Sequence, residues 1–524
     1  MKKLIVLLLV LSLCLTGCDY VGGVFEGVIS GVENLFSGGG GNTPGDDEPS
    51  DNLECDHTDV DDDGLCDECL VSVIVIVDMY SVNDLHGKVN STSSQPGIAG
   101  LTTYLKKVSG ENSVFIASGD IWQGSSESNL THGALLTDWM GELGFCAMTL
   151  GNHEYDWSDE YIFTNKKLAK FPLLAINVYD KTTGERAEYA TPSVIVERGG
   201  IEIGIIGAIG DCRSSISGEV IGDVDFKVGT ELTELVKAES ERLKEAGVEF
   251  IVYSIHDGYS SSSSGLKYVS DKDISSYYDV ALSADYVDVV FEAHTHQSYV
   301  LRDTKGTYHL QGGGENSGIS HAGLRYNIAN ENKAVVSPEI IKSSVYENMA
   351  ADPLIDELLL KYKDQIDGAY EVLGTNARYL DDSEVEQIVA DLYYKYGVEK
   401  WGEEYDIILG GGFIRTRNPY NLKRGEITYS DIYSLLPFDN ELVLCSISGR
   451  DLLRKFINTS NEDYYISYGQ NDISNIDQNK TYYVVVDTYT SSYVYNNLTE
   501  VARFGPGIYA RDLLAEYIKA GGLS

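Results

Sequence analysis

Basic residues are scarce in this sequence. Its 524 residues carry 39 Lys and Arg against 81 Asp and Glu, a formal net charge of −42. A surface that acidic repels phosphate backbones and anionic lipid, which excludes a chain whose main task is gripping a nucleic acid polymer or a membrane surface. A small nucleotide is not excluded, because bound metal cations reverse the local field. Cysteine is sparse as well, and eight residues are far too few for a disulfide scaffold. Only 10 prolines stand beside 37 tyrosines, the balance of a folded, strand-containing protein and not of a flexible one. Histidine numbers only 9, few enough that the position of each one carries information. Hydrophobic residues make up 43% and charged residues 23%, enough for sizeable cores in two to four domains at about 150 residues each.

Long apolar runs are also missing, with one exception. Leu4 to Leu15, behind Met1-Lys2-Lys3, is nearly all apolar, but at about 1.5 Å per residue it is too short to span a bilayer and reads as a signal h-region. It ends at Leu15-Thr16-Gly17-Cys18, which resembles a bacterial lipobox. That resemblance implies removal of residues 1–17, lipid attachment to Cys18, and an extracytoplasmic protein anchored to the bacterial cell membrane through that lipid only. Residues 18–52 are rich in Gly, Ser, Asp and Glu, with Gly38 to Gly41 in one block. Such a segment cannot bury enough apolar surface to order itself and reads as a stalk.

Residues 53–70 form a small cluster: Cys55-x-His57, then Asp59-x-Asp61-x-Asp63-Gly64, then Cys66-x-x-Cys69. Cys55, His57, Cys66 and Cys69 are four soft ligands of the kind a structural zinc site uses. Asp59, Asp61 and Asp63 alternate as in a calcium loop, with Gly64 at the sharp turn, although Leu70 stands where such a loop ends in Glu. A disulfide-stapled turn is the third reading.

From there a pattern repeats. Val71 to Val77 is a β-branched apolar run, the signature of a strand buried on both faces, and it leads into Asn83-Asp84-Leu85-His86-Gly87. Ser113 to Ala117 runs into Ser118-Gly119-Asp120, and Phe145 to Leu150 runs into Gly151-Asn152-His153-Glu154-Tyr155-Asp156. Phe250 to Ile255 runs into His256-Asp257-Gly258, and Val287 to Phe291 into Ala293-His294-Thr295-His296-Gln297. Each time an apolar strand ends in a loop carrying Asp, Asn or His, which is where layered α/β folds build sites. Five of the nine histidines, His86, His153, His256, His294 and His296, fall at these strand ends. Asp, Asn and His together suit a two-ion site with a shared carboxylate. His132, His309 and His321 lie outside the motifs and read as structural or surface residues. Cys146, Cys212 and Cys445 read as buried free thiols.

The ordered set Asp-x-His, Gly-Asp, Gly-Asn-His-Glu, His and His-x-His resembles the calcineurin-like metallophosphatase superfamily. More closely, it is similar to the bacterial 5′-nucleotidase and UDP-sugar hydrolase branch. The resemblance implies a four-layered α/β/β/α metallophosphatase domain over residues 71–340, followed by a smaller α/β substrate-binding domain. It implies two divalent ions, zinc, manganese or cobalt. Asp84, His86 and His296 would hold one, and Asn152, His256 and His294 the other, with Asp120 shared. His153 and Asp156 match the catalytic pair. Ala293 replaces a usual Gly and Val82 a common Thr, and neither change removes a ligand.

A helical stripe, Leu354, Ile355, Leu358, Leu359 and Tyr362, marks a linker helix within residues 341–368. Residues 369–524 contain no His, so they add no imidazole ligand. They do contain Gly410-Gly411-Gly412-Phe413-Ile414-Arg415, Gly425 to Asp431, and Leu436-Pro437-Phe438-Asp439-Asn440, whose spacing resembles the same family's nucleotide-binding domain. By that resemblance Arg415 contacts substrate, a residue able to meet a phosphate in bidentate fashion, and so do Phe438 and Asn440. Tyr464 or Tyr465 and Tyr493 or Phe504 are candidates for an aromatic clamp on the base. Gly410 stands where an Asn is common.

The function implied is hydrolysis of nucleotide phosphoesters, nucleoside 5′-monophosphates first, with UDP-sugars or 2′,3′-cyclic nucleotides as alternatives. From another class comes a surface protein that captures nucleotide or metal without turnover; retention of His153 and Asp156 beside the ligand set speaks against it. The partner expected is a small nucleotide, and nothing in the sequence identifies a protein partner.

Overall fold

The computed structural model describes residues 57–91, 96–216, 223–259, 278–414, 416, 422–458, 464–495, 497–505 and 507–523. Cys18, Cys55 and Arg415, together with the side chain of Tyr493, lie outside the described residues.

The first part of the chain supplies strands β1 (Ile74–Val82), β2 (Ser113–Ala117), β3 (Ala147–Thr149), β4 (Leu173–Leu174), β5 (Val178–Asp180), β6 (Ser193–Arg198) and β7 (Ile201–Ile209). It continues with β8 (Val224–Phe226), β9 (Phe250–His256), β10 (Val289–Phe291), β11 (Ser298–Arg302), β12 (Tyr308–Gly312), β13 (Gly318–Asn327) and β14 (Lys333–Lys342). Two six-stranded sheets result, in the orders β14-β13-β1-β2-β3-β4 and β11-β12-β10-β9-β7-β6. β1 to β4 are parallel, as are β7, β9, β10 and β12. Parallel neighbours need a crossover, and helices Ile98–Val108, Ala134–Glu142 and Asp159–Leu168 supply it in the first sheet, Thr230–Glu245 in the second.

Alternation along each strand sorts side chains to two faces. Val77, Met79, Val114 and Ile116 share one core with Ile203, Ile205, Phe250 and Val252, so the sheets pack face to face. On the outer side of the first sheet, Tyr80, Val82 and Phe115 meet Leu101, Leu105, Trp139 and Met140 of its helices. Outside the second sheet, Ile206, Ile251 and Tyr253 meet Leu232, Val236 and Leu243. The layers run helix, sheet, sheet, helix.

One sequence expectation needs correcting. The run Val71 to Val77 is not a strand buried on both faces: β1 begins at Ile74, and Val71 and Ile76 are exposed. The reason lies in the pairing. β2 flanks β1 only from Asp78 onward, so the first half of the strand has β13 as its single neighbour. The buried half, Met79 to Val82, is the half that delivers Asp84 and His86.

Asp352 caps the helix Pro353–Lys361 by accepting from the Leu354 N–H at 2.9 Å, with Pro353 at its first position. Leu354, Ile355 and Leu358 of this helix pack into the core outside the first sheet. Beyond it, β15 (Val372–Asn376) and β17 (Gly425–Thr428) pair, and a five-stranded sheet is ordered β19 (Tyr464–Ser467), β16 (Ile407–Phe413), β20 (Thr481–Asp487), β18 (Leu442–Ser448), β21 (Thr499–Arg503). The helix Asp382–Trp401 starts in an Asp381/Glu384 capping box and lies on that sheet. Gly410 is where it lies closest: a Cβ there would come within 2.3 Å of the Tyr394 nitrogen. That glycine is required by helix–sheet packing, whatever else its segment does.

Candidate active site

The seven predicted ligands come from both sheets and converge at the C-terminal ends of the parallel strands. Asp84 and His86 follow β1, Asp120 follows β2, and Asn152 follows β3. His256 is the last residue of β9, and His294 and His296 follow β10. Five of the seven, Asp84, His86, Asp120, His294 and His296, hold a positive φ between 47° and 67°. Non-glycine residues pay about 1–3 kcal/mol each for sparsely populated backbone of this kind, and such strain concentrates at functional sites.

The side chains interlock. The His256 Nε2 lies 3.1 Å from Asp120 Oδ2 and 3.1 Å from Asn152 Oδ1. Its other nitrogen, Nδ1, faces the Ser118 carbonyl at 3.0 Å, which assigns Nδ1 the proton and leaves Nε2 turned to the centre. Nδ1 of His86 faces the Gln123 carbonyl in the same way, at 3.3 Å, and its Nε2 comes to 2.9 Å from His296 Nε2 and 4.0 Å from Asp120 Oδ2. His296 Nε2 is 3.5 Å from Asp84 Oδ1, and the His294 N–H donates to both Asp84 oxygens at 2.9 and 3.0 Å.

This donor set fits divalent cations. Asp84, His86 and His296 form one group whose ligand atoms all lie within 4.8 Å of one another, and Asp84, Asp120 and His256 form another. Asp84 stands in both groups, and Asp120 lies between His86 and His256, with Oδ2 4.0 and 3.1 Å from their Nε2 atoms. Two imidazole Nε2 atoms facing each other at 2.9 Å, with the far nitrogen of one tied to a carbonyl, make an arrangement suited to a cation. Electrostatics agree. Burial opposes the Asp120 charge, but His256, His153 and His86 hold its carboxyl well below the usual range. Burial and the neighbouring His256 lower His294 to about 4, leaving it a neutral donor.

His153 sits beside this centre. Its backbone N–H donates to Asp120 Oδ1 at 2.9 Å, and its Nδ1 lies 2.8 Å from Asp156 Oδ2. The two residues thus form the pair expected from the motif. Phe438 arrives from the C-terminal part and stacks on His153, ring centroids 5.8 Å apart. Its loop is held by a buried arginine: Arg511 donates to the Phe438 carbonyl at 2.8 Å, pairs with Asp439, and lies 4.1 Å from the Tyr433 ring and 4.4 Å from the Tyr509 ring. The Pro437 carbonyl accepts from Asn129 Nδ2 at 3.1 Å, tying the same loop to the first domain.

The other substrate candidates are placed differently. Asn440 is half-buried in that loop, and its carbonyl accepts from the Ala510 N–H. Tyr464 meets Phe413 and Tyr495, with centroids 5.8 and 5.6 Å away. Phe504 is half-buried and packs edge-on against Tyr396 and Trp401. His132 stacks on Tyr161, and His321 pairs with Asp78.

Sequence reasoning missed three groups. Glu154, inside the quoted Gly-Asn-His-Glu motif but given no role, is fully buried and accepts from the N–H groups of Asp120, Ile121, Trp122 and Gly151. His309 lies within 2.5 Å of Glu292, and the other Glu292 oxygen accepts from the Tyr299 hydroxyl, so a buried network braces the His294–His296 loop. Cys212 is the buried thiol its apolar surroundings in the sequence predict, and its sulfur lies within ligand reach of His256 and His294. Burial, reinforced by the charges of Asp257, Asp120 and Asp84, raises its pKa well above the usual value and keeps it a neutral thiol.

Known proteins are similar to this chain in sequence and in fold. Residues 80–298 match the calcineurin-like phosphoesterase family, and residues 366–469 match the 5′-nucleotidase C-terminal domain. The chain is 26% identical over 438 residues to the endonuclease YhcR of Bacillus subtilis, covering 74% of this chain and 33% of that one, so it spans about a third of that relative's length. It is 24% identical over 419 residues to a 5′-nucleotidase of Vibrio cholerae, covering 71% of this chain and 73% of the relative. The crystal structure of a 5′-nucleotidase precursor from Thermus thermophilus superposes with a TM-score of 0.65 at 19% identity, over 85% of this chain and 96% of that one, a likeness of fold. With two sheets converging on a carboxylate–imidazole centre and the Phe438 loop reaching His153, this chain carries a calcineurin-like phosphoesterase domain followed by a 5′-nucleotidase C-terminal domain, and it is a hydrolase.

Proposed function

We propose that this hydrolase removes phosphate from nucleoside 5′-monophosphates, outside the cytoplasm, on a lipid anchor at Cys18. One juxtaposition carries the reading: the Phe438 ring stacked on His153, at the edge of the Asp84–Asp120–His256 centre. A substrate matched to it carries an anionic phosphate at one end and a flat, apolar ring at the other. The lipobox and the Gly-rich stalk support the address.

Asp84, His86, Asp120, Asn152, His256, His294 and His296 would hold two divalent ions, zinc, manganese or cobalt. When bound, such ions neutralise phosphoryl oxygens and lower the pKa of water. The chain's own contribution is orientation and proton transfer. Asp156 engages His153 at Nδ1 and fixes its tautomer, so Nε2 is the atom that hands a proton to the leaving oxygen. The Asp120 carboxylate anchors the His153 backbone, which keeps that ring in register with the centre. Arg511 holds the Phe438 loop from behind. Arg415, Asn440 and Tyr493 remain candidates for contacts to substrate.

The test uses the demetallated full-length protein resupplied with Mn²⁺ or Zn²⁺ and offered AMP, UMP, ATP, UDP-glucose and 2′,3′-cyclic AMP. Phosphate is measured directly and, for the last two, after added phosphomonoesterase. Metal-dependent release from AMP or UMP is expected. Turnover confined to UDP-glucose or the cyclic nucleotide would move the substrate to another phosphoester class, and turnover of none would overturn the nucleotide reading. His153→Ala should bind AMP normally and lose on the order of 10² in kcat; an unchanged kcat would remove His153 from the mechanism.

A further inference from the structure

The turn ahead of β1 is built more carefully than a tether needs. The Cys66 N–H donates to the Val71 carbonyl and the Leu70 N–H to the Cys66 carbonyl, both at 2.9 Å, while the Asp67 N–H reaches Thr58. These bonds bend Cys66-Asp67-Glu68-Cys69 into a tight knuckle. The next residue, Leu70, has φ +59°, and His57 on the facing segment has φ +48°. Neither is a glycine, so both positions are strained. The Cys69 N–H points at Cys66 Sγ from 3.5 Å, a contact that favours a thiolate, and Cys69 Sγ lies 3.4 Å from His57 Nδ1.

We propose that His57, Cys66 and Cys69 form a structural zinc site that clamps the start of the folded chain, separate from the hydrolytic centre. All three donor atoms lie within 4.8 Å of one another. A tetrahedral zinc with Zn–S about 2.3 Å and Zn–N about 2.0–2.1 Å spaces sulfur and nitrogen about 3.5 Å apart, which the His57–Cys69 pair matches. The calcium reading of the same segment fares worse. Asp59 Oδ2 accepts from the Gly64 N–H at 3.0 Å and from Asn327 Nδ2 at 2.8 Å, and its Oδ1 accepts from the Asp63 N–H. Asp63 in turn accepts from the Leu65 N–H. These carboxylates hold the loop together and fasten it to the β13–β14 turn.

That attachment gives the site its role. Asn330 Nδ2 donates to the Asp59 carbonyl and the Ile328 N–H to the Val73 carbonyl, so the knuckle is stitched to the edge of the first sheet. β1 then runs nine residues to the catalytic loops, about 26 Å at the rise of an extended strand. Zinc here pins the segment ahead of β1, and its removal leaves the catalytic geometry standing.

The experiment uses the reduced full-length protein loaded with Co²⁺. The wild type should show thiolate-to-cobalt charge-transfer absorption in the near ultraviolet, displaced by Zn²⁺, and Cys66→Ser and Cys69→Ser should each lose it while keeping their phosphoesterase activity. On the wild type alone, Zn²⁺ should slow alkylation of Cys66 and Cys69 by at least about tenfold, since the metal holds the reactive thiolate, as mapped by peptide mass spectrometry. That arm decides even if the variants fail to fold. The proposal falls if the band is absent or survives both substitutions, if the secreted protein carries a Cys55–Cys66 disulfide, or if Ca²⁺ protects these thiols and Zn²⁺ does not.

Discussion

Replacing Glu154 with Gln exchanges one oxygen for an NH2 group and leaves the shape intact, yet it should be one of the most damaging isosteric changes in the protein. Glu154 Oε1 accepts from the N–H groups of Ile121 and Trp122 at 2.9 and 3.2 Å, and Oε2 from those of Asp120 and Gly151 at 2.9 and 2.7 Å. Whichever way the new amide turns, its NH2 faces two N–H donors. Two buried donors lose their acceptor at about 1–3 kcal/mol each, so the total is about 2–6 kcal/mol, set against the ~5–15 kcal/mol net stability of a folded domain. The structure can relieve this only by moving the Asp120–Trp122 loop, and the Asp120 carboxylate lies between His86 and His256, 4.0 and 3.1 Å from their Nε2 atoms. Affinity for the ions should fall with it, by about 10–100-fold as for other residues that orient metal ligands. Denaturant unfolding gives the stability, metal analysis after dialysis gives the affinity, and phosphate release gives the rate. A variant with wild-type midpoint, metal content and turnover would refute the argument, because it would mean the four N–H groups do not depend on that carboxylate.

Two more outcomes rest on the same kind of reasoning. Burial lowers the His309 pKa, but the charge of Glu292 and the hydrogen bond that His309 donates to Asp303 lift it to about 9. The charged form is thus favoured in the fold, and its stabilisation, on the order of 3 kcal/mol, is complete below about pH 6.5 and fades as pH rises through 9. The unfolding midpoint of wild type minus that of His309→Gln should shrink across that window, and a flat difference would exclude the charge. Arg511→Met removes the charge-assisted bonds to Phe438 and Asp439 from a site that is 3% exposed. Loss of one such bond, at about 1.4 kcal/mol, corresponds to about a tenfold rise in KM for the preferred nucleotide. A small phosphate ester that cannot reach Phe438 should be turned over nearly as before, and an unchanged nucleotide KM would deny Arg511 its positioning role.

How much of this is legible in the sequence depends on how local the signal is. The ligand inventory was legible because each ligand sits at the end of an apolar strand or within five residues past it, so Asp84-x-His86, Gly151-Asn152-His153 and His294-x-His296 announce themselves without tertiary information. The layered fold followed from the resemblance those motifs carry, and the packing of Val77 and Met79 against Ile203 and Phe250 agrees with it. The limits of β1 were not legible, because an apolar run does not tell which half has neighbours on both sides. The strain at Asp84, His86, Asp120, His294 and His296 was not legible either, since positive φ at a non-glycine residue is imposed by the surroundings and not by the residue.

Tertiary structure alone decided the rest, and for one physical reason: long-range partners are chosen by where the chain returns. Glu154 became the acceptor for a loop more than thirty positions earlier because β2 and β3 lie side by side. Phe438 met His153, nearly three hundred positions away, because the Pro437 carbonyl found Asn129. Asp59 became a tie between the first turn and the first sheet because Asn327 came to it from the far end of β13. By itself the sequence determined which atoms could do the chemistry; only the fold decided which of them face one another.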